Sequence, residues 1–238
     1  MAKAVNMIGT LKGKVGNVVY ATVRGETIAR VYQPTVANPR TARQELSRAK
    51  MALAVELARS LMPVVRVGFN GIARGREFQQ AVKAAIPVGN QVITGNTPAS
   101  VTPNYGSLGE MMSANQFFNQ LEISNVDAET AGRLRMSLAF PANANLDPNT
   151  GAEVPTFGIV VVYQTDTRDV IVWPVTYQPT AQTVEVPIPE YLSGLRGHVY
   201  AFYKQVPEGI NGITTATLPY RIPGRTSRAV YGGTFDFA

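Results

Sequence analysis

One change of period limits what this chain can fold into. Ala42, Leu46, Ala49, Leu53, Leu57 and Leu61 recur at intervals of three and four, the spacing of one apolar helix face. From residue 133 the interval is two: Leu134, Met136, Leu138 and Phe140 alternate with Arg133, Arg135 and Ser137. Between them, residues 87–116 are rich in Asn, Thr, Pro, Gly and Ser and read as a connection with one or two short strands. Helical spacing followed by alternation predicts an α+β chain: an N-terminal β-hairpin plus helices, then an antiparallel immunoglobulin-like β-sandwich. The expected divisions are a basic hairpin-and-helix domain over 1–100, a β-sandwich domain over 101–220 and a C-terminal arm over 221–238.

The helix has a clear start. Thr41 and Gln44 have capping-box spacing, and Asn38-Pro39 favours an extended or turn conformation before them. Pro63 either ends the helix near Met62 or opens a second helical piece. A short helix is expected over 77–86, with Phe78, Ala81, Val82, Ala85 and Ile86 inward. Upstream, 15–24 and 27–33 are rich in Val, Ile, Tyr and Thr and read as a hairpin turning at Gly25-Glu26. That register sets Val23 opposite Ile28, Ala21 opposite Arg30 and Val19 opposite Tyr32. A lone hairpin is marginal in water, and the helix from Thr41 is the nearest candidate to cover it.

Residues 157–163, 170–175, 184–188, 199–203 and 213–218 read as further strands. Thr165-Asp166-Thr167-Arg168 is expected to turn the first pair, and 189–194 to cross between sheets as a short helical turn. The tail combines Arg221, Arg225 and Arg228 with Tyr231, Phe235 and Phe237. Ordering such a segment needs a groove that buries its aromatics, and the expectation is an assembly arm docking in a neighbouring copy.

Charged residues make up 16% of the chain, against about 25% in ordinary domains. Together with 21 Gly and 16 Pro, this suits a turn-rich β protein or a surface partly covered by partners. Residues 1–86 hold 14 Lys and Arg against 4 Glu, whereas 87–238 hold 8 against 12 acids. This asymmetry suggests an anionic partner for the first part, or attraction between copies. Lys12, Lys14, Arg24, Arg30, Arg40, Arg43, Arg48 and Lys50 are the candidate contacts to nucleic acid or another anionic partner, since such side chains neutralise phosphates without reading sequence. The N-terminus lacks the apolar stretch of roughly 7–15 residues that a secretory signal needs. Ile159-Val160-Val161-Val162-Tyr163 falls far short of the ~20 apolar residues of a membrane span. A virion or cytoplasmic location without membrane contact is expected.

Reaction chemistry is not legible. With no cysteine, thiolate metal sites and disulfides are excluded. His198 is the sole histidine, with no second ligand or carboxylate at a fixed spacing, and reads as structural. Asp166 and Asp169 read as turn caps rather than cation ligands. Gly13-Lys14-Val15-Gly16-Asn17 lacks the Ser or Thr and the strand-loop-helix frame of a phosphate loop. No catalytic residue, metal site or cofactor is expected, and the chain is read as a non-enzyme.

Gly13-Lys14-Val15-Gly16-Asn17-Val18-Val19, Arg24-Gly25 with Arg30, Pro34, Asn38-Pro39-Arg40-Thr41-Ala42-Arg43-Gln44 and the later Val199-Tyr200-Ala201-Phe202 together carry a resemblance. The chain resembles an uncharacterised domain-of-unknown-function family of bacteria and their phages, over most of its length to about residue 220. Similar openings occur in phage proteins encoded near virion genes. The family has no assigned activity, so no functional residue transfers. The resemblance and the charge layout imply a self-assembling structural subunit of a phage or phage-derived particle (capsid, tail or connector) with copies of itself and other virion proteins as partners. The alternative is a sequence-nonspecific nucleic-acid-binding protein using the basic N-terminal half.

Overall fold

The structure is a computed structural model and describes residues 2–4, 12–23, 26–35, 40–70, 76–86, 91–116, 119–128, 132–147, 149–206 and 224–237. Contacts divide the chain into Met1–Thr41 and Ala42–Ala238.

The first unit is a four-stranded antiparallel sheet of β1 (Ala2–Ala4), β2 (Gly13–Val15), β3 (Val18–Val23) and β4 (Glu26–Val31), in the order β1-β4-β3-β2. The expected first hairpin strand is therefore two strands. Gly16, at φ +57°, and Asn17 turn the chain between Val15 and Val18, a left-handed conformation that glycine adopts without penalty. The hairpin register also differs from expectation. Val23 pairs with Glu26, Ala21 with Ile28 and Val19 with Arg30, leaving Arg24 and Gly25 as the connection. Those two lie outside the described residues. The slide is by two positions, so each side chain keeps its face.

In the second unit, α1 (Ala42–Ser60) begins directly after Thr41, and α2 (Met62–Gly68) carries Pro63 in its first turn, where a missing N–H costs nothing. Asn38-Pro39 lies outside the described residues. There follow α3 (Glu77–Ala85), the small ladder of β5 (Ile93–Thr94) with β6 (Thr102–Pro103), and a 3-10 segment over Tyr105–Met111. The strands β7 (Glu122–Asp127), β8 (Arg133–Ala139), β9 (Thr156–Gln164), β10 (Val170–Thr176), β11 (Gln182–Pro187), β12 (Arg196–Gln205), β13 (Arg225–Thr226) and β14 (Val230–Asp236) complete the unit. They form two antiparallel sheets: β11-β8-β7, and β10-β9-β12 with β13 and β14 both pairing on β12. The fold is mixed α+β. The expected turn of helix over Glu190–Leu192 lies where the chain passes from one sheet to the other. The expected strand over 213–218 lies outside the described residues.

Two cores share the β9–β12 ladder. Ile159, Val161, Tyr163, Tyr200 and Phe202 pack with Ala54, Leu57, Leu61, Val64 and Val65 of the helical layer. The alternate residues Val160, Val162, Val199, Ala201 and Tyr203 pack with Leu134, Met136, Leu138, Val184 and Val186 of the second sheet. The helices thus share a core with the sheets, within the unit that begins at Ala42. The seam on α1 is narrower than its spacing suggests: Ala54, Leu57 and Ala58 are buried, Leu46, Ala49 and Leu53 partly so, and Ala42 is exposed. Gly68 has no room for a side chain, since a Cβ there would lie 1.8 Å from the Met112 carbonyl oxygen.

The described part of the C-terminal tail, expected as an assembly arm, completes its own sheet. β14 pairs with β12 from Arg196–Asp236 to Ala201–Val230, and Phe237 is 4% exposed within the core between the sheets. Phe235 meets Phe237 edge-on at 4.9 Å, Tyr231 lies 5.4 Å from the Tyr200 ring, and Arg228 pairs with Glu110 at 2.5 Å. The physical reason is that β12 has an edge to be paired and the sheets have an open end that an aromatic ring fills. Arg221 lies outside the described residues. Phe237→Ala should therefore destabilise the isolated subunit by about 3–5 kcal/mol in denaturant unfolding. Deleting 224–238 should unfold the second unit; a truncated chain that melts like the full one would return these anchors to a neighbouring copy.

Candidate interaction surfaces

The first unit's sheet has two unlike faces. Register places Val15, Val18 and Val31 in one row and Tyr20 and Ala29 in the next, all on one side. On the other side Lys14, Val19 and Arg30 form a row, and Tyr32 continues it. Lys14 Nζ stands 3.5 Å above the centre of the Tyr32 ring, a cation–π contact that orients the ammonium. Lys12, exposed and two residues before Lys14, continues this basic side. The unit carries six Lys and Arg and one Glu; the rest of the chain carries sixteen and fifteen. Among its described residues with assigned burial, only Thr27 is buried, while Val15 and Val31 are 67% and 72% exposed.

The remaining sequence-derived cations do not all belong to this face. Arg40 is exposed just before α1, Arg43 and Arg48 are exposed on α1, and Lys50 is half-buried there. Arg24 lies outside the described residues. The same helix contributes to an apolar groove of about 480 Å³, where Met51 and Val55 face Phe78, Val82 and Ile86 around α3. Ile86, expected inward, sits at the groove and is exposed.

A family model matches residues 10–213. The chain belongs to DUF6266, a family of unknown function. No curated protein and no solved structure matches it. The DUF6266 match starts before β2, runs through β12, and ends before β13 and β14. The last strand of this chain thus lies beyond the matched segment while closing the sheet.

The DUF6266 chain also buries polar groups that the sequence reading did not connect. Lys204 is fully buried and donates from Nζ to the Val67 carbonyl at 3.0 Å; Thr226 Oγ1 donates to the Gly68 carbonyl at 2.9 Å. Together they satisfy the C-terminal carbonyls of α2, where a cation is favoured. Burial lowers the lysine to about 8 from its ordinary 10.5. A signal was present: 198, 200, 202 and 204 share one side of β12, so a lysine ending an inward-facing series needs a buried acceptor. His198 stacks on Tyr105 with ring centres 4.3 Å apart, and its Nδ1 lies 3.1 Å from both Tyr231 Oη and Thr234 Oγ1. Burial, with Arg196 nearby, holds the imidazole below its usual 6.5. In the 165–168 turn, Asp166 accepts from Gln164 and Asp169 from Thr167, so both carboxylates serve as turn acceptors.

Both buried bases lower stability as the pH falls, because the unfolded chain takes up the proton first. For Lys204 the window runs from 10.5 down to about 8. Lys204→Met should therefore gain on the wild type by about 3 kcal/mol as pH falls through that window, with a constant gap below it. Chemical unfolding of both proteins across pH 7.5–10.5 (about the span of the shift) checks this; a gap independent of pH would place the ammonium in a water-like setting. For His198 the loss starts at about 6.5 and continues downward, and His198→Gln should flatten it.

Proposed function

We propose that this chain is a non-enzymatic, self-assembling structural subunit of a phage or phage-derived particle, built into a capsid, tail or connector. One observation carries the reading: among the described residues Val15 and Val31, on the apolar side of a four-stranded sheet, are largely exposed, and an independent sheet needs cover on such a side. Copies of the chain and other particle proteins are the partners that would supply it. The strand order supports an immunoglobulin-like assignment of the second unit. Strands β7-β8-β11 correspond to A-B-E and β10-β9-β12-β14 to C′-C-F-G, with crossings between sheets after β8, β10 and β11. Such sandwiches are stable frames for displaying other segments. The location that follows is the virion, after synthesis in the cytoplasm.

Light scattering and electron microscopy of the purified full chain across concentration test this. Rings, tubes or shells are expected. Val15→Lys with Val31→Lys should reduce assembly at least tenfold in the concentration required, about 1.4 kcal/mol per contact, with unchanged melting of the second unit. A wild type that stays a monodisperse monomer at high concentration would end the proposal.

The basic side of the same sheet favours a second reading, nonspecific nucleic-acid binding through Lys12, Lys14 and Arg30. Affinity for a single-stranded homopolymer should then fall steeply with salt, and Lys14→Ala with Arg30→Ala should flatten that dependence by roughly 1–2 in log–log slope. Binding that is absent at low salt would remove this reading and leave the first intact.

A further inference from the structure

Buried polar atoms are almost always hydrogen-bonded. Two side-chain atoms of this chain, His198 Nε2 and Thr165 Oγ1, are buried without a hydrogen-bond partner among the described residues. They are not scattered. His198 lies opposite Tyr163 in the β9–β12 register, and the Thr165 N–H donates to the Arg196 carbonyl at 3.2 Å, which continues that ladder. Thr165 and His198 therefore occupy diagonal positions on the same side of the sheet, where Cα separations are about 7–8 Å and side chains converge. That distance is too long for the backbone to close and suits one bridging molecule with two or more polar partners.

We propose that one buried water bridges His198 Nε2 and Thr165 Oγ1. The other side of the ring is already satisfied by β14. Tyr231 Oη and Thr234 Oγ1 are 2.6 Å apart, and both are 3.1 Å from Nδ1. With Nδ1 as acceptor, Thr234 donates to Tyr231 and Tyr231 donates to Nδ1, so both hydroxyl hydrogens are placed. With hydrogen on Nδ1 instead, Tyr231 donates to Thr234 and the exposed Thr234 hydroxyl donates to solvent. In either case Nε2 points away from β14 and needs a partner, which the water supplies while donating to, or accepting from, Thr165. The stacked Tyr105 ring covers the imidazole, and His198 is only 5% exposed, so exchange with bulk water is slow. The result is a polar seam from β9 through β12 to β14, running Thr165, water, His198, Tyr231, Thr234. It fastens the strand that lies beyond the family match at the end of the sheet where Arg196 pairs with Asp236 at 3.3 Å. The seam rests on the fold alone and is independent of any reading of function.

His198 is the sole histidine, so its ring signals are unambiguous in the full-length labelled protein. Long-range proton–nitrogen spectra at pH 7.5 (about one unit above the ordinary histidine value) assign its two ring nitrogens. The ring C–H hydrogens beside Nε2 should show rotating-frame cross-peaks to a long-lived water. Thr165→Val should abolish the water cross-peak while Thr165→Ser keeps it, and the backbone spectrum of either variant reports that the sheet is intact. A wild type with no water cross-peak overturns the proposal. A crystal structure placing a protein atom within about 3.2 Å of Nε2 overturns it equally.

Discussion

The pairing of β9 with β12 is the constraint on which the second unit depends. Every residue of β9 is buried and all but Arg196 of β12 are too, so both strands present apolar side chains to two layers at once. Val160 and Val162 cannot reach the second sheet unless Ile159, Val161 and Tyr163 face the helices. Each such side chain contributes about 1.5–3 kcal/mol when fully buried, and the ladder aligns both sets simultaneously. A slip of one residue would turn each set into the wrong core, so register is specified twice.

Around that ladder the polar groups act as fasteners between distant segments. Thr226 donates to the Gly68 carbonyl, accepts from the Ala114 N–H and exchanges two bonds with Gln116. Gln205 donates to the carbonyls of Ala144 and Leu146, tying the long loop after β8 to the end of β12. These bonds sit where helix ends and loops meet the sheet, because those backbone groups lose water without gaining a regular partner. The buried ammonium of Lys204 belongs to this set and explains a charged residue in an otherwise apolar layer.

The first unit follows a different economy. Its described residues pair regularly, only Thr27 is buried among those with assigned burial, and its faces differ in chemistry, with Val15, Val18 and Val31 on one and Lys14 and Arg30 on the other. Short outer strands β1 and β2 limit pairing at its edges. An anionic partner and an apolar one would not compete for the same side.

Much of this was legible in local pattern. Alternation at Leu134, Met136 and Leu138, the paired β-rich runs, Pro63 at the head of α2 and the crossing turn at Glu190–Leu192 all reflect chemistry confined to neighbouring residues, which a sequence displays directly. The hairpin turn was misplaced because Gly25 can occupy either central position of a two-residue turn, and only the full ladder chooses between them. The grouping of helices with sheets and the capping of α2 by Lys204 and Thr226 depend on contacts between residues over a hundred positions apart, and the return of Phe237 to its own core on its backbone bonds with Leu195 and Gly194. Burial and partner geometry at such separations arise only when all layers close together, so tertiary structure alone decided them.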